Sequence, residues 1–93
     1  MSEFAELLSP ATNHAVVQLP GRRFPGVVLQ GDSLHILVKN LQRLREAAAK
    51  HGDAELDDGF ACLCEQLTGV SSHFEAVCRS RGLALPYPDR SAD

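Results

Sequence analysis

Residues 53–82 read DAELDDGFACLCEQLTGVSSHFEAVCRSRG, and the spacing of apolar positions in this stretch decides the architecture. Leu56, Phe60, Leu63, Leu67, Val70, Phe74 and Val77 advance by alternate steps of four and three. A helix turns once in 3.6 residues, so these steps keep all seven side chains on one stripe. Heptads without a break are the pattern of a helix that packs lengthwise on another. The ends are marked too. Asp53 can cap the orphan N–H groups of the first turn. Asp53, Glu55, Asp57 and Asp58 suit the positive end of the dipole, and Arg79 and Arg81 the negative end. Gly82 supplies a left-handed closing residue and Leu83 its apolar contact. Gly69 is the interior weakness, costing about 1 kcal/mol against Ala. The pattern predicts a helix over 54–81.

Working upstream, Leu34, Leu37, Leu41, Leu44 and Ala48 make a second helical stripe, which predicts a helix over 33–50 with Asp32 or Ser33 as its cap. Lys50-His51 ends it beside Gly52, and the short His51-Gly52-Asp53 link predicts an antiparallel helical hairpin. Residues 3–30 read as strands instead. Glu3–Leu8, Asn13–Leu19 and Val27–Gln30 carry the β-branched or aromatic residues, and Pro20-Gly21 and Pro25-Gly26 punctuate them. The fold expected is α+β: a small three-stranded antiparallel sheet lying against an antiparallel helical hairpin, in the order β-β-β-α-α. It forms a single domain over 1–88. Leu85-Pro86-Tyr87-Pro88 is extended because two prolines remove donors, and 89–93 are expected to be a disordered tail.

The chain has 93 residues, 44% of them hydrophobic and 23% charged, which is the composition of one ordinary small domain. A chain this short buries only roughly 60–65% of its unfolded surface, so a partner subunit is expected. Nine basic against 12 acidic residues give a net charge of −3, which argues against a dedicated nucleic-acid binder. No apolar run approaches the roughly 18 residues of a membrane span. MSEFAELLSP lacks the basic start and apolar run of a signal peptide, so a cytoplasmic location is expected.

Catalytic and metal chemistry find no pattern to stand on. His14, His35, His51 and His73 form no HxxxH or HExxH spacing. His35 and His73 fall off the apolar stripes and are expected to face solvent. Cys62 and Cys64 would point about 200° apart on a helix, so the three cysteines, Cys78 included, read as small hydrophobes or partly exposed thiols. Asp57-Asp58 are helix neighbours about 100° apart, not an acid/base pair. Ser71-Ser72-His73 lacks an acid and a strained turn. No catalytic residue, metal site or cofactor is expected, and the protein reads as non-enzymatic.

Binding is better represented. Arg22, Arg23 and Phe24 sit in an exposed turn between two Pro-Gly pairs and can grip a phosphate or a partner's carboxylates; the plainer reading, which the pattern favours, is a rigid hairpin loop that the arginines keep soluble. Residues 33–50 carry a net charge of +3 and 53–65 a net −5. That asymmetry is explained by pairing between the two helices, or by an acidic face (Glu55, Asp57, Asp58) for a basic partner. Helix 54–81 would be roughly 42 Å long and helix 33–50 roughly 27 Å. The overhang leaves Val70, Phe74 and Val77 without a first-helix neighbour, and with Leu63 and Leu67 they are the expected homodimer interface. The alternative is a break at Gly69 that folds 70–81 back as a third helix.

Pro25-Gly26-Val27-Val28-Leu29-Gln30-Gly31-Asp32-Ser33-Leu34, followed by Asn40-Leu41, resembles the HicB-type antitoxin domain. That family runs a strand of the form PGCxTxGD(T/S) into a helix with an Asn about eight residues on. The resemblance covers residues 3–48, with Val27 in place of the family's Cys and His35-Ile36 in place of its acidic pair. The stretch LPGRRFPGVVLQGDSL and the LPYP tail also resemble a group of small bacterial proteins of unknown function. HicB-type proteins generally add a DNA-binding segment, and here the second half is a heptad helix with no basic recognition helix. What the resemblance implies is a non-catalytic platform that oligomerises and binds a protein, a module of antitoxin or immunity type; the acidic start of the second helix (Glu55, Asp57, Asp58) would face a basic partner such as a toxin, or Arg22, Arg23 and Phe24 would make the contact. The other readings are a homodimeric scaffold, and a small-ligand or nucleic-acid sensor built on the Arg22-Arg23 turn.

Overall fold

The computed structural model describes residues 4–88; Glu3 and the tail 89–93 lie outside them. Three strands come first, β1 (Glu6–Leu7), β2 (Val16–Gln18) and β3 (Gly26–Val27), then α1 (Gly31–Ala49) and α2 (Ala54–Ser80). The order is β-β-β-α-α and the class α+β, as the sequence predicts. The sheet is antiparallel with β2 in the middle. Leu7 and Gly26 flank Val17, and Glu6 pairs with Gln18.

The strands are much shorter than 3–8, 13–19 and 27–30. Side chains take over where the ladder stops. The Ser9 hydroxyl accepts from the Val16 N–H at 2.8 Å, and Gln18 Nε2 donates to the Arg22 carbonyl at 2.7 Å. Leu19-Pro20-Gly21-Arg22 closes as a type II turn: Arg22 N–H donates to Leu19 C=O, and Gly21 has φ +75°. Ala15 and Val17 point inward and are buried, whereas Leu7 and Val27 are exposed. No strand residue has its Cα within 8 Å of a helical Cα. Any packing between sheet and hairpin is therefore made by side chains, and the buried Ala15 and Val17 are the inward-facing ones.

The helices pack on each other, joined through Gly52 at φ +68°. α1 begins at Gly31, two residues earlier than expected. Its cap is Gln30, with no side-chain bond, because the Asp32 carboxylate turns to the adjacent Ser33 N–H. Asp53 does cap α2, accepting from Leu56 N–H at 3.1 Å. At the far end Leu83 N–H bonds Cys78 C=O and Gly82 N–H bonds Arg79 C=O, with Gly82 at φ +69°. This is a Schellman closure. α2 runs unbroken through Gly69, so the three-helix alternative is excluded.

The seam between the helices departs from the predicted stripes. On α1 it is Leu34, Val38, Leu41 and Ala48 that are buried, while Leu37 and Leu44 are exposed. On α2 the buried positions are Cys64, Ser71 and Cys78, flanked by half-buried Phe60, Leu67 and Phe74. Small residues seven apart on α2 accept the larger leucines of α1. The result is an open molecule. Its radius of gyration is 16.3 Å and its extents 52 × 36 × 23 Å, against about 12 Å for a compact chain of this length.

Candidate interaction surface

One residue before each buried position of α2 stands an apolar one: Leu63 before Cys64, Val70 before Ser71, Val77 before Cys78. With Leu56 they form a row with seven-residue spacing. They are 45%, 48%, 54% and 40% exposed for Leu56, Leu63, Val70 and Val77. On α1, Leu37 stands in the same way one residue before Val38, and it and Leu44 are exposed. Each step of one residue rotates about 100° around the helix. In facing antiparallel helices the same offset lands on the same side of the pair. All six side chains therefore share one face of the hairpin. Near the start of α2 that face opens a cavity of about 490 Å³ lined by Asp53, Glu55, Leu56, Gly59, Phe60 and Leu63.

The predicted homodimer set is split by this geometry. Leu63, Val70 and Val77 lie in the exposed row, but Leu67 and Phe74 are half-buried. Phe74 closes over the start of α1, where a Cβ on Gly31 would collide with its ring. A stripe as wide as the heptad pattern covers two neighbouring faces of one helix. α1 takes the side nearer Cys64, Ser71 and Cys78.

The opposite side of the hairpin is polar. His35, Lys39 and Gln42 of α1 meet Thr68, Ser72, Glu75 and Arg79 of α2 around a cleft of about 210 Å³. The tail folds back over it. The Tyr87 ring stacks on His35 with centroids 3.8 Å apart, and its hydroxyl donates to Glu75 Oε2 at 2.7 Å. Burial pushes the Tyr87 phenol above its ordinary value of 10.0. The Glu75 carboxylate raises it further, and a hydrogen bond with Ser71 pulls the other way. His35 is thus half-covered by a ring, not turned to solvent as predicted. The expected extended stretch 85–88 instead bends at Pro86 and Tyr87, which turns the one tyrosine of the chain back onto the helices.

The remaining candidates are dispersed. Arg22, Arg23 and Phe24 are exposed at the turn before β3, with the Arg23 guanidinium 5.3 Å from the Phe24 ring centroid. This group can present a cation and an aromatic face together. Glu55, Asp57 and Asp58 do not form one acidic patch. Glu55 borders the apolar cavity, Asp57 is half-buried facing Gln42, Arg45, Glu46 and Ala49, and Asp58 is exposed. Successive residues of a helix point about 100° apart, and this is the cause. Among the described residues no ion pair joins the two helices; Glu75 and Arg79 pair within α2 at 3.7 Å. Of the opposed charges of residues 33–50 and 53–65, Asp57 and Arg45 border one cleft without a direct ion pair.

Cys62 is exposed, Cys64 and Cys78 are buried, and all three are free thiols. Among the described residues no three His, Cys, Asp or Glu side chains converge, and no helix is long and apolar enough to cross a membrane. No curated protein and no solved structure matches the chain. Residues 1–87 match a family described as "Family of unknown function (DUF6959)". That match spans nearly the whole chain, sheet, hairpin and folded-back tail alike, and the protein belongs to the DUF6959 family.

Proposed function

We propose that this protein is a non-enzymatic binding module that works by associating with a protein chain through the apolar face of its hairpin. The observation that carries the reading is the exposed row Leu56, Leu63, Val70 and Val77, continued on α1 by Leu37 and Leu44. Contiguous apolar surface of this extent on a small domain marks an interaction site. Full burial of a Leu or Val is worth about 1.5–3 kcal/mol, so covering each half-exposed side chain contributes roughly 1 kcal/mol. Six such contributions are a useful part of the energy of a specific complex. The antitoxin or immunity role implied by the HicB resemblance is one form of this reading. There the carboxylates at the start of α2 would meet a basic toxin, or the Arg22-Arg23-Phe24 turn would meet carboxylates of the partner.

The test is affinity capture of the tagged wild-type chain beside a Leu63→Lys/Val70→Lys variant, both expressed in the native host with a differently tagged second copy. A stoichiometric protein, whether the second copy or another chain, recovered with wild type and lost with the variant supports the reading. Recovery of no protein with wild type overturns it.

A further inference from the structure

We infer that the chain covering the apolar face is a second copy of this one, docked about a two-fold axis with its α2 antiparallel to the first. The inference rests on the protein-binding reading above and names its partner. Three features of α2 point this way.

The row is evenly spaced and its ends match. A two-fold axis level with Gln66 and Leu67, the midpoint of the row, sets Leu56 against the partner's Val77 and Leu63 against the partner's Val70. Every larger side chain then meets a smaller one, as interdigitating layers require.

Charge selects the direction. The first turns of α2 carry Asp53, Glu55, Asp57 and Asp58, whereas Arg81 stands one turn beyond Val77 on the line of the row. A parallel pair would bring the two acidic ends together. The antiparallel pair brings each acidic end beside the partner's Arg81 and opposes the helix dipoles favourably. The outer flank of the row is Glu55, then Gly59, Gln66, His73 and Ser80, so its one carboxylate lies at the acidic end, toward the partner's Arg81 in the antiparallel pair. Space at Gly59 is open, which admits the partner's helix closely.

The area suffices. From Leu56 to Val77 the row runs roughly 31 Å at 1.5 Å per residue. Two helices packed 8–10 Å apart make a face about 20 Å wide. That is roughly 600 Å² per copy and 1,200 Å² in all, the lower end of stable specific interfaces. Two hairpins joined in this way make a four-helix bundle.

The experiment has two parts. Light scattering of the purified chain at micromolar concentration is expected to give twice the chain mass of 10.1 kDa. Leu63→Lys/Val70→Lys, both at exposed positions, should keep its helical circular dichroism and weaken the dimer at least 100-fold. In a Cys62→Ser background, Leu56→Cys chains mixed with size-tagged Val77→Cys chains should then cross-link to each other on mild oxidation. Cross-linking of Leu56→Cys chains only among themselves overturns the antiparallel arrangement. A wild-type chain that stays at single mass overturns the inference. If that single chain still captures a different protein through the same face, the broader reading survives and the second copy does not.

Discussion

Gly31→Ala tests the contact that decides which face of α2 belongs to α1. Gly31 opens α1 and is buried, and a Cβ there would collide with three carbons of the Phe74 ring. The ring must move off the start of α1. Overpacking of this kind costs about 1–3 kcal/mol. Removing a helical glycine returns at most about 1 kcal/mol, and less in the first turn. The net expected is a destabilisation of about 1–2 kcal/mol, with Tm falling about 4–8 °C for each kcal/mol in a domain of this size. Gly69→Ala is the control. It lies in the same fold with open space around its Cβ position, so it should raise stability by about 0.5–1 kcal/mol. Both variants are read by urea and thermal unfolding followed by circular dichroism. Adding Phe74→Leu to Gly31→Ala should recover part of the loss, with a coupling of about 0.5–3 kcal/mol. If Gly31→Ala stabilises as much as Gly69→Ala, Phe74 does not pack on the start of α1 and the division of faces is wrong.

The other consequences are separable. Asp53→Ala removes the acceptor of the Leu56 N–H and should cost about 0.5–2 kcal/mol in denaturant unfolding; no loss would mean the cap is not used. Tyr87 should titrate above 10.0 in phenolate absorbance, and Glu75→Gln should lower its midpoint. Because the folded phenol holds its proton more tightly, its stabilising contribution is complete below pH 10 and disappears as pH rises through the raised value. A midpoint at or below the ordinary one, or one that Glu75→Gln leaves in place, would contradict the docked tail. Arg22→Ala/Arg23→Ala should leave Tm nearly unchanged, since both side chains are exposed. If the turn contacts the partner, capture falls with the double substitution; unchanged capture assigns the turn a connecting role only.

Most of the fold could be read from local chemistry. The Pro-Gly turn at Leu19–Arg22, the Asp53 cap and the Gly52 and Gly82 closures each follow from one or two residues whose conformational demands are specific. The core was harder. Apolar spacing identified the stripe of α2 but not which edge of it α1 would occupy. That choice fell to Cys64, Ser71 and Cys78, whose small size lets the helices approach, and small side chains carry little weight in a hydrophobic pattern. The same choice left Leu37 and Leu44 outside and drew Val38 in. The acidic cluster misled in the opposite way. Glu55, Asp57 and Asp58 are close in sequence, but helix rotation turns them to different sides. The Tyr87–His35–Glu75 arrangement joins the tail to both helices, and local sequence holds no trace of such a contact.

The central claim is that a second copy of the chain covers the row Leu56, Leu63, Val70 and Val77. Methyl accessibility measures this directly, by NMR of the purified protein with a soluble paramagnetic agent. At high concentration the Leu63 and Val70 methyls should be protected well beyond the exposures of 48% and 54% that the single chain leaves them. Dilution, or the Leu63→Lys/Val70→Lys pair for the Leu56 and Val77 methyls, should abolish the protection. Methyls that remain as accessible at high concentration as on dilution, with no change in the variant, would contradict the account.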